Sequence, residues 1–242
     1  MLACSVAQNF ARLLTECCMT NHKAWQRGNA LAHRWSFTLL LVASLLIMAL
    51  LTRSHFAALS QAWLQRLGFA PVDLWLARWD GLLTSALVTA GGLMFWQALL
   101  FVALTVGAAE WLAGTLAAFL AFWGVHLATL LLESLAIALP MHLMHLSLGT
   151  GLFVARDVGP SAGAFGALGL VIGLLPRPWR WIGGGAILAA LLAVVLTASG
   201  TVDELTLQLT AELAHLIAFP LGWLIAARVD RHRKQPPKEA LG

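Results

Sequence analysis

The chain has 242 residues, of which 60% are hydrophobic and only 11% are Asp, Glu, Lys or Arg, and its mean hydropathy is +0.82. A water-soluble domain carries roughly a quarter of its residues as charges, so composition excludes an ordinary soluble globule and points to lipid as the main solvent. The net charge of +4 comes from basic residues gathered at the two ends and between apolar runs, a pattern that fits membrane topology and anionic headgroups rather than nucleic acid.

Residues 1–35 read as a cytoplasmic N-terminal segment, with Phe10, Leu13 and Leu14 on one side of an expected amphipathic helix. Cys4, Cys17 and Cys18 all lie in it, where a reducing compartment predicts free thiols rather than disulfides. A bilayer span needs about 20 mostly apolar residues, and six such runs follow, at roughly 36–52, 83–106, 113–138, 159–176, 181–199 and 209–227. The first begins too far from Met1 to read as a removable signal peptide. Lipid offers no partner to an open strand edge, so the runs are predicted to be helices. The expectation is an all-α membrane protein, a bundle of six spans over 36–228, followed by a basic tail, 229–242, that reads as disordered around Pro236 and Pro237.

Between the first two runs lies a stretch, 53–82, too charged to span and too apolar to float free: Phe56, Trp63, Trp75 and Trp79 alternate with Arg66, Asp73 and Arg78. Tryptophan and short amphipathic helices favour the bilayer interface, so this segment is expected among the headgroups. Lys and Arg counts orient the rest. Arg12, Lys23, Arg27 and Arg34, then Arg177 and Arg180, then Arg228, Arg231, Arg233, Lys234 and Lys238 fall on one side if the span number is even. Both termini are therefore expected in the cytoplasm, with the protein in a cell inner or plasma membrane.

Ionisable groups at membrane depth are expensive and usually face protein. Those that pass this filter are Glu110, His126, Glu133, His142, His145, Glu212 and His215, with Ser161 opening the fourth run. Ser161 sits in Gly159-Pro160-Ser161-Ala162-Gly163-Ala164-Phe165-Gly166, and small residues at this spacing let helices approach closely in lipid. His215 lies in the sixth run beside Ala214 and Ala218, at a depth similar to Ser161, and a serine needs a neighbouring base to become nucleophilic. Glu212, three residues before His215, is a candidate to orient it. His142 and His145 lack a carboxylate or cysteine partner, which leaves them a weak metal pair; no metal and no cofactor is expected.

With these residues in view, the chain resembles the rhomboid family of intramembrane serine proteases. The family pattern G-x-S-G-x-x-F-G on span 4 is matched by Gly159, Ser161, Phe165 and Gly166, and A-H-x-x-G-x-x-x-G on span 6 by Ala214, His215 and Gly222. The separation 215 − 161 = 54 is close to the family's. Leu83-Thr84-Ser85, Gly91, Glu110 and Gly114 continue the match upstream without gaps, and 53–82 corresponds to the family's L1 loop. The departures are specific. The family's span-2 histidine and asparagine, which help bind the oxyanion, fall on Met94 and Ala98; its Trp-Arg pair falls on Asp80-Gly81, and two motif glycines are Ala162 and Ala218.

The resemblance implies a six-span fold and a Ser161–His215 dyad that cleaves single-pass transmembrane substrates in contact with membrane lipids. Gly159, Ala162, Gln97 and His145 are the weaker candidates for binding substrate or the oxyanion. The losses at Met94 and Ala98 keep an alternative open: a rhomboid pseudoprotease that binds membrane helices or lipids without cutting. A small transporter is a third reading, without the inverted repeats such folds show.

Overall fold

The computed structural model describes residues 34–234. The cysteines, the expected N-terminal amphipathic helix and the two tail prolines lie outside that range. The architecture is helical: α1 (Ser36–Thr52), α2 (Leu93–Ala113), α3 (Thr115–Leu143), α4 (Ser161–Leu174), α5 (Arg177–Thr197) and α6 (Val202–Lys234). Among the described residues, β-pairing is confined to two isolated bridges. Helices α2, α3, α5 and α6 are long and apolar enough to cross a membrane, whereas α1 and α4 are apolar but shorter, at 17 and 14 residues. Leucines on the outside, such as Leu40, Leu100, Leu116 and Leu196, are well exposed, as expected when the surrounding medium is hydrocarbon rather than water.

The second helix starts later than hydropathy predicts. Residues 83–92 are apolar, but they form the end of a helical turn (Gly81–Thr84), a short 3₁₀ turn (Ser85–Leu87) and a connection ending at Gly91 and Gly92, with φ of 88° and 61°. Both glycines occupy a left-handed region that side chains disfavour. A Cβ on Gly91 would also overlap the carbonyl of Ala57. This backbone approach to the 54–59 segment, with Leu59 N–H on Ala90 O at 2.9 Å and Gly92 N–H on Ser54 O at 2.8 Å, turns an apolar run into a loop. At the far end, α6 continues to Lys234, past residue 229 where the sequence reading begins a disordered tail. Helix α3 also outruns its predicted end, passing through Pro140 with π-helical stretches at Leu120–Gly124 and Glu133–Ala138.

Two buried polar anchors fix the ends of the bundle. At one end the Glu110 carboxylate, on the last turn of α2, accepts the N–H groups of Phe37 (3.0 Å) and Thr38 (2.8 Å) and the hydroxyls of Thr38 (2.7 Å) and Thr115 (2.8 Å). It therefore caps α1, whose first N–H groups have no intrahelical acceptor. Through Thr115 it also ties the turn between α2 and α3. The Arg180–Asp230 pair at 3.9 Å brings the start of α5 to the end of α6.

At the opposite end Asp73, fully buried, receives a bidentate fork from Arg156, with Nη2 to Oδ1 at 2.8 Å. Arg156 also donates to Gly68 O at 2.6 Å, and Phe69 and Asp157 exchange backbone hydrogen bonds at 3.0 and 2.9 Å. The 53–82 segment is thus docked onto the strand-like residues that lead into α4. Removing one partner of a buried ion pair typically costs about 3–5 kcal/mol, because the other charge is left stranded.

The centre is held by close backbone approach. A Cβ added to Gly222 of α6 would overlap the Gly166 carbonyl of α4, and one on Gly169 would overlap the Phe219 carbonyl. Gly222→Ala is expected to force α4 and α6 apart at a cost of about 1–3 kcal/mol or more, read as a lowered thermal midpoint in detergent. Gly185→Ala, where a Cβ meets open space, is expected to leave that midpoint unchanged.

The loop carries a second expectation. Burial pushes the Asp157 carboxyl up from 3.8 to about 6, against a hydrogen bond from Val158 N–H that favours the ionised form, and Glu133 lies within electrostatic reach. A carboxyl whose pKa is raised by folding costs no stability below its unfolded value; the penalty grows as pH rises through the interval 3.8 to 6 and is constant above it. Asp157→Asn is expected to flatten this part of the stability–pH profile and raise the midpoint at neutral pH. Unfolding followed by tryptophan fluorescence across that interval checks it.

Candidate functional site

Ser161 is the first residue of α4, after Pro160, whose carbonyl takes the first intrahelical bond, from Ala164 N–H at 2.9 Å. The N–H groups of the first turn, including that of Ser161, consequently lack helical acceptors. Two residues earlier Gly159, at φ 154°, gives its N–H to Ser85 O at 2.9 Å. Ser85 is held in turn by buried His126, whose Nε2 lies 3.2 Å from Leu82 O and 3.4 Å from Ser85 Oγ. The sequence reading singled out His126 for its depth; its contacts make it an anchor for the 82–85 turn that orients Gly159.

His215 enters from α6. Its ring stacks on Phe165 with centroids 4.3 Å apart and planes at 28°. Phe165 lies one turn below Ser161 on the same face of α4. Beside this stack Ala162 packs with Ala214, Ala218 and Val125. These alanines form a close-packed wall of small side chains.

The two ring nitrogens of His215 have different surroundings. Nδ1 faces Glu212 Oε2 at 3.4 Å, while Nε2 is buried without a hydrogen-bond partner. A carboxylate on Nδ1 favours the tautomer with its proton there, leaving the Nε2 lone pair free. Ser161 Oγ is therefore not hydrogen-bonded to His215 in this state, and the serine is half-buried.

The weaker candidates separate. Gln97 is exposed on α2, with Met94 exposed beside it. Phe101, one turn below Gln97, packs its ring 5.1 Å from that of Phe165. Helices α2 and α4 run toward the same end of the bundle, so Gln97 stands at about the level of Ser161, on the Phe101 side of α2. The Phe101–Phe165 contact shows which side of α2 is turned toward α4. His145 lies elsewhere: it is exposed, its φ of 56° closes the turn after α3, and its N–H bonds His142 O at 2.9 Å. His142 stacks on Phe153 at 4.4 Å and approaches Thr150 Oγ1 at 3.3 Å.

The sequence reading missed the aromatic series Phe101–Phe165–His215. Its signal was the spacing of four between Ser161 and Phe165, which puts a ring directly beneath the hydroxyl. Among the described residues, no group of three or more His, Cys, Asp or Glu is arranged to hold a metal ion. Comparison of the chain with protein-family models, with curated proteins and with solved structures finds no match.

Proposed function

We propose that the chain is a six-span, rhomboid-like intramembrane serine protease, with both termini in the cytoplasm and α1 and α4 serving as the two shorter spans. The observation that carries the reading is His215: stacked on Phe165 one turn from Ser161, its Nδ1 toward Glu212 and its Nε2 buried and unpartnered. Short spans suit this chemistry, because a serine at the head of a short helix sits near the membrane surface, within reach of water.

In the proposed reaction Ser161 Oγ attacks the scissile carbonyl of a single-pass transmembrane substrate while its proton passes to His215 Nε2. The tetrahedral oxyanion is held by the free N–H groups of the first turn of α4 and the positive end of that helix. Gln97 adds a side-chain donor in place of those lost at Met94 and Ala98. The imidazolium returns its proton to the leaving amine, and water, deprotonated by the same nitrogen, releases the acyl group from Ser161. Glu212 holds the Nδ1 tautomer and stabilises the imidazolium, as the carboxylate does in serine triads. Membrane lipids surround the site; no cofactor takes part.

Met94 and Ala98 favour a second reading, a pseudoprotease that binds transmembrane helices without cutting them, and the same experiment separates the two. In proteoliposomes with a panel of single-pass substrates, the wild-type chain is expected to cut near the membrane surface, and Ser161→Ala and His215→Ala to abolish cleavage. Loss of one oxyanion donor costs about 10²–10³ in rate, so Gln97→Ala is expected to lower kcat with KM little changed. Glu212→Gln is expected to lower kcat and to shift the acidic limb of the pH profile, which the imidazole governs. Binding of substrate helices by wild type and Ser161→Ala alike, with no cleavage by either, would favour the pseudoprotease.

A further inference from the structure

A cavity lies away from Ser161, between α3 and the final turns of α6. It is an open groove of about 890 Å³ with walls that include Leu120, Gly124 and Ala128 on one side and Leu221 and Ile225 on the other. From Leu116 to Ala128 its α3 side covers 12 residue steps, about 18 Å at helical rise. That is the depth of one leaflet, about half of a 30 Å hydrocarbon core, plus part of the headgroup layer. Its outer end carries Arg228, which is exposed and makes no ion pair among the described residues. The nearby acid Asp230 faces Arg180 instead. Arg231, three residues on and exposed, directs its Nε to Ala227 O at 3.2 Å, leaving the rest of its guanidinium free to add positive charge.

We propose that this groove is a binding site for an anionic phospholipid, with an acyl chain along the Gly124–Ala128 wall and the phosphate on Arg228. The apolar walls match a hydrocarbon chain and offer nothing to a polar ligand. The cation at the headgroup-level end selects charge, since a guanidinium donates paired hydrogen bonds to phosphate oxygens. A zwitterionic lipid fills the same walls but brings its own cation to the arginine. The end of the bundle concerned is the one with the Glu110 cap and the end of α6. In the topology proposed above it faces the cytoplasmic leaflet, where anionic lipid is concentrated. The site does not depend on proteolysis and would stand if Ser161 proved inert.

The test uses the full chain purified in mild detergent with equimolar phosphatidylglycerol and phosphatidylcholine of matched acyl chains. Native mass spectrometry then counts the lipid retained on the protein. One phosphatidylglycerol per chain is expected to survive activation in preference to phosphatidylcholine. Arg228→Gln is expected to weaken that preference roughly fivefold, while Arg177→Gln, away from the groove, leaves it intact. Gly124→Leu, where an added Cβ has no neighbour closer than 4.0 Å, fills the groove and is expected to reduce retention of both lipids without loss of the folded state by circular dichroism. Equal retention of the two lipids by the wild-type chain, or equal effects of Arg228→Gln and Arg177→Gln, would overturn the proposal. So would a groove that proves to be filled by a second copy, seen as dimers that Gly124→Leu dissociates.

Discussion

The arrangement depends on one constraint, the absence of side chains where α4 crosses α6. Gly166, Gly169 and Gly222 leave backbone facing backbone, and a single methyl group at Gly222 or Gly169 would collide with a carbonyl oxygen of the other helix. In lipid there is little hydrophobic gain from pressing two apolar helices together, so packing at short range supplies most of the attraction. The crossing is therefore both the strongest contact between these helices and the one least tolerant of added volume. Its consequence is felt one turn away. With the backbones in contact below, Phe165 and His215 meet ring to ring at 4.3 Å, and the imidazole is brought to the serine-bearing end of α4.

What the crossing does for His215, the buried polar anchors do for Ser161. The serine opens its helix directly after a non-helical segment, and such a residue is only as well placed as the segment before it. Here that segment is held three times: Arg156 in the carboxylate fork of buried Asp73, Asp157 bridged to Phe69, and Gly159 on the Ser85 carbonyl. His126 fixes Ser85 from α3. The 53–92 region thereby holds the entry to α4 through Asp73, Phe69 and Ser85. Glu110 does the equivalent at the opposite end by capping α1. Polar groups are few in this protein; Asp73, Arg156 and Glu110 hold ends and entries of helices, while glycine lines the crossing of α4 and α6.

Much of this could be read from the residues. Apolar runs marked the helices, because a lipid-facing helix must be apolar along its whole length. The glycine spacing around Ser161 marked the close crossing, and the three-residue step from Glu212 to His215 marked their contact. Hydropathy failed where apolarity served a different purpose. Ala86 and Leu87 are apolar because they pack into the main core beside α1, α2 and α4, and the left-handed glycines Gly91 and Gly92 break the helix there. The Asp73–Arg156 fork was not legible either. The two residues are 83 apart, and no local spacing pairs them. The exposed face of α2 was ambiguous for a related reason: register fixes which residue is which, but only the Phe101–Phe165 contact fixes which way Gln97 stands.

The central claim is that Ser161 is a nucleophile activated by His215. Its most direct measurement is covalent: the folded chain is treated with a fluorophosphonate, and the adduct is located by peptide mass mapping, with the labelling rate followed as a function of pH in wild type and His215→Ala. A single adduct on Ser161 is expected, forming at a rate that rises as the imidazole loses its proton and falls by orders of magnitude in His215→Ala. A folded chain that stays unlabelled, or labels at Ser161 equally fast with and without His215, would contradict it.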